Sequence, residues 1–189
     1  MAAKRPAALH FSGDPEADAL LAAEPLALLI GFALDQQVTV QTAFAGPLKL
    51  RQRLGTLDAR KIAETDPDRL LEIFRERPAI HRFPGSMAAR VQELCAFVAE
   101  EYNGDASQLW TKAKDTADLK QRIGALPGYG PMKITALGSV LALRLGVTIA
   151  DPLVPPHACL GAVDSPEALA DYQAAKRAKK AAIRAANAG

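Results

Sequence analysis

The chain has 189 residues, a length that suits one domain, and its formal net charge is only +2. Hydrophobic residues make up 49% and charged residues 23%, so the composition argues against a disordered chain. Aromatic residues are 5% of the chain, whereas alanine contributes 38 residues. Because alanine favours helices while aromatic and β-branched residues favour strands, we expect an all-α protein.

Two cysteines, Cys95 and Cys159, are too few for a thiolate zinc site or an iron–sulfur cluster, and the three histidines show no ligand spacing. We therefore expect no metal, no cofactor and two reduced thiols. Residues 1–10 carry charge without an apolar segment directly after them, so no signal peptide is expected. The most apolar stretch, 25–34, is far shorter than the roughly 20 residues of a membrane span. These features predict a cytoplasmic protein with no membrane partner.

Helices are predicted along the whole chain, and capping residues mark several of their starts. Asp14, Asp66 and Ser165 each precede a proline and can cap a first turn, where proline lacks an N–H that has no partner anyway. Residues 26–34 are apolar on every face, which predicts a helix at the centre of the core. A helix containing Pro47 is expected to bend or break there. The predicted helices cover residues 15–23, 26–34, 39–54, 58–64, 67–76, 86–102, 116–125, 131–145 and 166–186.

The last predicted helix carries a basic run interrupted by alanines. A run of this kind is typical of a solvated helix face, and the alternative is an arm that follows DNA phosphates. The small net charge of the chain permits nucleic-acid binding without arguing for it. The basic residues are Lys176, Arg177, Lys179, Lys180 and Arg184.

The most informative segment is 123–137, with the sequence IGALPGYGPMKITAL. One helix is predicted to end before a turn that holds Gly128 and Gly130, and a second helix to begin at Pro131. The N–H groups of Gly128, Gly130 and Met132 would then lie at the positive end of the second helix, which predicts a binding site for one phosphate. A plain tight connection between antiparallel helices is the alternative.

The apolar residues that flank this turn strengthen the phosphate interpretation. Ile123 and Leu126 precede the turn, and Ile134 and Leu137 follow it. With this pattern the segment resembles the helix-hairpin-helix motif, which binds a DNA phosphate.

The resemblance extends beyond the hairpin. Residues 31–40, GFALDQQVTV, resemble the segment before the wedge helix of the helix-hairpin-helix DNA glycosylases. Residues 147–152, VTIADP, resemble the place where those enzymes keep a catalytic aspartate. The matches cover roughly residues 26–155, and the full chain is similar to an uncharacterised branch of the HhH-GPD superfamily of base excision repair glycosylases, a branch without an iron–sulfur cluster.

This resemblance implies a fold and a partner. It implies a two-lobed, all-α bundle in a single domain over residues 1–189, and a monomer that binds double-stranded DNA. The helical lobe would span about 36–150 with the hairpin at 116–145, and the second lobe would combine 1–35 with 151–189.

The resemblance also implies site residues. It places the catalytic carboxylate at Asp151, where it would stabilise the positive charge that develops on the sugar as the glycosidic bond breaks. The alternative role for Asp151 is a helix cap, in which case Glu24 and Asp35 are the next candidate acids. Gln37 aligns with the wedge side chain that fills the space left by a flipped base, and its alternative is a cap or loop residue. Weaker candidates are Gln36, Tyr129, His81 and Arg82.

A lysine nucleophile in the second hairpin helix would add lyase activity. In the lyase-active relatives this lysine lies two residues after the second glycine, where this chain has Met132. Lys133 follows one residue later, yet it lies 18 residues before Asp151, as in those relatives. A one-residue offset rotates a side chain by about 100° around the helix.

We therefore expect a monofunctional glycosylase in which Lys133 contacts DNA and remains a candidate catalytic residue. Two alternatives stay open. One is a helix-hairpin-helix DNA-binding protein that has lost glycosylase activity, and the other is a helical adaptor for a protein partner.

Overall fold

The computed structural model describes residues 6–187, and within that range the chain forms ten α-helices, two 3₁₀ segments and no strand. The prediction of an all-α fold is confirmed. The 3₁₀ segments are Thr148–Leu153 and Leu160–Ala162. The helices are α1 (Pro15–Ala23), α2 (Pro25–Leu34), α3 (Val40–Leu54), α4 (Ala59–Glu64), α5 (Pro67–Arg75), α6 (Pro84–Glu101), α7 (Gln108–Thr111), α8 (Thr116–Ala125), α9 (Pro131–Leu143) and α10 (Pro166–Ala186).

The nine predicted helices are all present, and their starts follow the capping signals. Asp14, Asp66 and Ser165 each accept a hydrogen bond from a backbone N–H in the first turn of the helix that follows. Of the two predicted effects of Pro47, a bend or a break, the break does not occur, because α3 continues through this residue. Proline removes one intrahelical bond, and the packing of α3 against α1, α2 and α5 outweighs that loss. Helix α7 and the 3₁₀ segments were not predicted because they are too short to show periodicity.

Helix α2 forms the centre of the core, as predicted. Every residue from Leu26 to Leu34 is buried, and the helix packs against α1, α3 and α6. Gly31 allows this close packing, since a Cβ atom there would lie only 2.4 Å from the ring of Phe44. The buried apolar side chains from Leu9 to Leu169 belong to one hydrophobic cluster.

The predicted division into two lobes is not tested by this cluster, which includes residues from both. The boundaries at 36 and 150 stay a prediction. Residues 1–5 and 188–189 of the predicted second lobe lie outside the described residues.

Within the described range no single helix is long and apolar enough to span a membrane. Only α1 and α2 together reach that length, and they meet at a bend of 116°.

Helices α8 and α9 form a hairpin, and the two 3₁₀ segments that follow it in the chain pack against α9. A Cβ atom at Gly138 would lie 2.6 Å from Leu153, and one at Gly161 would lie 2.2 Å from the carbonyl oxygen of Ser139. Gly161 N–H also donates to Ser139 Oγ (3.1 Å). This close packing of α9 against both 3₁₀ segments fixes where α10 begins.

Candidate functional site

The turn between α8 and α9 has the geometry that the glycine spacing predicts. Tyr129 N–H donates to the Leu126 carbonyl (3.1 Å), and Gly128 has a φ of +78°, which side-chain-bearing residues rarely adopt. Gly130 is extended and forms the N-cap of α9. Among the described residues, the N–H groups of Gly128, Gly130 and Met132 have no protein acceptor. These donors lie at the positive end of α9, where a phosphate would bind.

Met132 and Lys133, the two residues near the position of the lysine nucleophile in lyase-active relatives, lie in different environments. Met132 is 82% exposed, so its side chain faces solvent. The Lys133 side chain is partly buried, and its Nζ donates to the Ala33 carbonyl (3.3 Å) and lies 5.4 Å from the centre of the Tyr129 ring. Burial, opposed by the charge of Asp35 and assisted by that of Arg90, lowers the pKa of Lys133 to about 8.

The segment after α2 brings a carboxylate close to this amine. Gln36 N–H donates to the Leu34 carbonyl (2.7 Å), which makes an inverse γ-turn centred on Asp35 (φ −74°, ψ 69°). Burial raises the pKa of Asp35, and the positive charges of Lys176 and Lys133 oppose that shift. Asp35 and Lys133 therefore influence each other electrostatically, although no salt bridge joins them.

Arg90 of α6 connects the hairpin turn to the segment after α2. A Cβ atom at Gly128 would lie 2.4 Å from Arg90 Nη1, so the guanidinium packs against the turn backbone. In the amide orientation that satisfies its neighbours, the Gln36 side-chain oxygen accepts from Arg90 Nη1 (3.1 Å) and from Lys133 Nζ (3.2 Å). We refer to Asp35, Gln36, Arg90 and Lys133 as the Asp35–Lys133 cluster.

Gln37, the predicted wedge residue, follows this cluster directly. It is exposed and has a φ of +55°, a left-handed conformation that costs a residue with a Cβ about 1–2 kcal/mol. Strained backbone of this kind concentrates at functional sites. The N-cap of the next helix follows two residues later, where the Thr39 hydroxyl accepts from Thr42 N–H (3.2 Å).

The first turns of α10 pack against α3 near the cluster. Gln173 and Gln41 of α3 are joined by side-chain hydrogen bonds, and Tyr172 is half-buried. Burial raises the pKa of Tyr172, and the negative charge of Asp35 adds to the shift. Lys176 lies within electrostatic reach of the same carboxylate.

Asp151 forms no hydrogen bond or salt bridge with the members of this cluster. It is exposed, within the 3₁₀ segment Thr148–Leu153, which packs against α9. Its side chain accepts no hydrogen bond from the described residues, so the alternative role of helix cap is wrong: Pro152 continues the 3₁₀ segment instead of opening a helix. Glu24 lines an open surface cavity of about 370 Å³ that includes no hairpin residue.

The weaker sequence candidates are mainly structural. His81 is 1% exposed. Phe83 N–H donates to its Nδ1 (3.0 Å), so Nε2 carries the proton and donates to the Gln36 carbonyl (3.0 Å). Tyr129 is buried and its hydroxyl donates to the Leu29 carbonyl of α2 (2.7 Å), so its ring is not exposed for stacking on a base. Arg82 remains exposed above the ring of Phe83.

Among the described residues, no group of three or more His, Cys, Asp or Glu side chains is arranged to hold a metal ion. Cys95 and Cys159 are both buried free thiols. Burial raises the pKa of Cys95, which keeps this thiol protonated.

A model of the HhH-GPD superfamily of base excision DNA repair proteins matches residues 30–183. The chain belongs to this family. HhH-GPD membership gives the protein a base excision repair function of the DNA glycosylase type, with DNA as its partner. The matched range contains the Asp35–Lys133 cluster, the α8–α9 hairpin and most of α10. Searches of curated proteins and of solved structures found no match.

The sequence predicts no role for Arg90 or Tyr172, places Lys176 only in the basic run of the last helix, and offers Asp35 only as a reserve candidate. The signal for Asp35 was present: an acid directly follows a helix that is apolar on every face, so its carboxylate must lie near the core boundary. No local pattern identifies the other three, because each meets the cluster only through tertiary packing.

Exchange of each turn glycine for alanine should separate folding from DNA binding. Gly130→Ala should leave the stability unchanged, because the added Cβ meets open space, yet weaken binding by obstructing the approach of a phosphate to the N–H groups. Gly128→Ala should lower the free energy of unfolding by about 1–2 kcal/mol, because its φ is positive. Chemical denaturation and anisotropy with an undamaged duplex measure both effects. Unchanged affinity in Gly130→Ala would remove the hairpin from the interface.

Acidification should destabilise the protein through His81. Burial lowers its pKa below the ordinary value of 6.5, so the unfolded chain binds more protons than the folded one just below that pH. The free energy of unfolding should therefore fall as the pH decreases through 6.5, and it should fall less in His81→Gln, which does not titrate. Urea titrations at about pH 7.5 and 5.5 test this linkage. Equal losses in both proteins would contradict the assignment of a neutral His81.

Proposed function

We propose that this protein is a monofunctional DNA glycosylase that acts on a flipped damaged or mispaired base in double-stranded DNA, as a cytoplasmic monomer. One observation carries the proposal: a carboxylate and an amine, Asp35 and Lys133, share a partly buried cluster whose Arg90 packs against Gly128 of the hairpin turn. A phosphate held on that turn would present the adjacent sugar to the cluster.

Asp35 supplies the chemistry that glycosidic cleavage needs. As the bond from C1′ to the base breaks, positive charge develops on the sugar ring, and a partly desolvated carboxylate stabilises that charge more strongly than one in water. The raised pKa of Asp35 also makes it a better acceptor for the proton of an attacking water. Lys176 and Lys133 favour the ionised form of Asp35 by opposing part of the effect of burial on its pKa.

Gln37 fits the wedge role in this scheme. Its exposed side chain follows Asp35 by two residues, so insertion into the duplex and contact of the sugar with the carboxylate would occur together. Because the backbone of Gln37 is left-handed, its side chain leaves the chain at a different angle than it would from a right-handed backbone.

A second candidate, a glycosylase with lyase activity, is favoured by the pKa of Lys133. At a pKa of about 8, a substantial fraction of this amine is neutral near physiological pH. A neutral amine can attack C1′, and the base then leaves as a covalent imine forms between Lys133 and the opened sugar. The hydrogen bonds from Lys133 Nζ to Ala33 and Gln36 favour the monofunctional proposal, because they hold the amine in place.

Replacement of the two candidate acids should identify the carboxylate. Asp35→Asn should lower single-turnover base excision by about 100-fold or more while DNA affinity is retained, because the charge acts mainly in the transition state. Asp151→Asn is the matched control and should excise at the wild-type rate. The substrates are duplexes with uracil, alkylated purines, oxidised bases and mismatches, and the readout is the formation of abasic sites.

Two outcomes would contradict this assignment. Loss of excision in Asp151→Asn alone would restore Asp151 as the catalytic acid. Tight DNA binding by the wild type without base release from any of these duplexes would support a non-catalytic DNA-binding protein. Asp35→Asn should fold normally, since burial already disfavours the charged carboxylate.

Borohydride reduction during reaction with an abasic-site duplex separates the two glycosylase types. The monofunctional proposal expects no covalent adduct at any pH. A lyase would give an adduct whose yield rises as the pH increases through about 8, the pKa of Lys133, and which is absent in Lys133→Gln. An adduct with this behaviour would contradict the monofunctional assignment.

A further inference from the structure

The second half of α10 has no partner in the described part of the chain. Every residue from Ala174 to Asn187 is exposed, and the last buried residue of the helix is Leu169. At 1.5 Å per residue, the exposed helical part extends about 20 Å beyond the packed region. A helical segment that projects this far and buries none of its residues is not needed for the core.

The charges on this projection are all of one sign. No Asp or Glu occurs after Asp171 in the sequence, and none of the five basic residues forms a salt bridge with a described residue. They are Lys176, Arg177, Lys179, Lys180 and Arg184. The positive potential is therefore uncompensated, although the whole chain is nearly neutral.

The basic residues also share one face of α10. At about 100° per residue, all five fall within an arc of about 160° around the helix axis, and Tyr172 lies inside that arc. Hydrogen bonds between Gln173 and Gln41 hold this part of α10 against α3, and Lys176 is within electrostatic reach of Asp35. The basic face therefore begins near the Asp35–Lys133 cluster and continues along the projection. The opposite face consists of alanines at 174, 178, 181, 182 and 185.

We propose that the exposed half of α10 is an arm that binds the phosphate backbone of duplex DNA next to the lesion. This inference rests on the proposed function, because it takes the Asp35–Lys133 cluster as the position of the lesion. Duplex DNA carries one negative charge per about 1.7 Å of axis, so an arm about 20 Å long meets several phosphates. The arm adds affinity and no sequence preference, since phosphates carry no sequence information.

The test removes three distal charges that lie outside the candidate site. The arm variant carries Lys179→Gln, Lys180→Gln and Arg184→Gln, and glutamine preserves helix propensity. The control variant carries Lys61→Gln, Arg75→Gln and Arg77→Gln, which are exposed positions on or near α4 and α5 with the same change in charge. Circular dichroism verifies the helix content of both.

The readout is the slope of log affinity against log salt concentration for an undamaged duplex and for one with an abasic-site analogue. Each lost phosphate contact lowers the slope by about 0.9, so the arm variant should lose about 2 to 3 units and the control almost none. Single-turnover excision at saturating DNA should be unchanged in the arm variant, because the arm does not touch the reacting atoms.

A slope in the arm variant equal to that of the wild type, or equal losses in both variants, would overturn the proposal. Binding of phosphatidylserine vesicles that is lost only in the arm variant, with an unchanged DNA slope, would assign the arm to a membrane surface and equally overturn it. In each of these cases the wild type would still excise bases. If the glycosylase proposal itself fails, the wild type excises no base, so the two failures are distinguishable.

Discussion

The arrangement of the site depends on the burial of the C-terminal end of α2. A helix end leaves backbone carbonyls without intrahelical partners, and burial of such carbonyls is costly unless other donors reach them. In this protein Lys133 donates to the Ala33 carbonyl, and His81 donates to the Gln36 carbonyl just beyond the helix. Tyr129 adds a bond to Leu29 inside the helix. These bonds attach the hairpin and the segment before α6 to the same end of α2.

The same constraint sets the electrostatics of the site. The carbonyl end of a helix is partly negative, which favours a nearby cation, while burial of that cation lowers its pKa. Lys133 therefore combines a stabilising contact with a pKa of about 8. Asp35 lies at the same helix end and has the opposite shift, because burial penalises its charge too. An amine that loses its proton more easily and a carboxylate that gains one more easily make a pair suited to proton transfer.

Most of the fold was predictable because its helices are marked by local signals: capping residues before proline, glycines in the hairpin turn and the apolar pattern of 26–34. The exception at Pro47 shows that packing can carry a helix past a local breaker. The hairpin turn was predicted to the residue, since Gly128 and Gly130 determine it locally. The Asp35–Lys133 cluster was not predicted, because its members come from three distant segments, the one after α2, α6 and α9, and meet only through tertiary packing. The spacing of Asp151 from Lys133 did not reveal that Asp151 lies exposed in a 3₁₀ segment, and its catalytic role stays a prediction.

The central claim is that the lesion is processed at the Asp35–Lys133 cluster, and a crystal structure with duplex DNA that carries an abasic-site analogue tests it most directly. The account predicts that a phosphate accepts hydrogen bonds from the Gly128 and Gly130 N–H groups, that Gln37 fills the space left in the duplex, and that the analogue lies against Asp35 and Lys133. An analogue bound against Asp151, with the Asp35–Lys133 cluster still covered by α10, would contradict it.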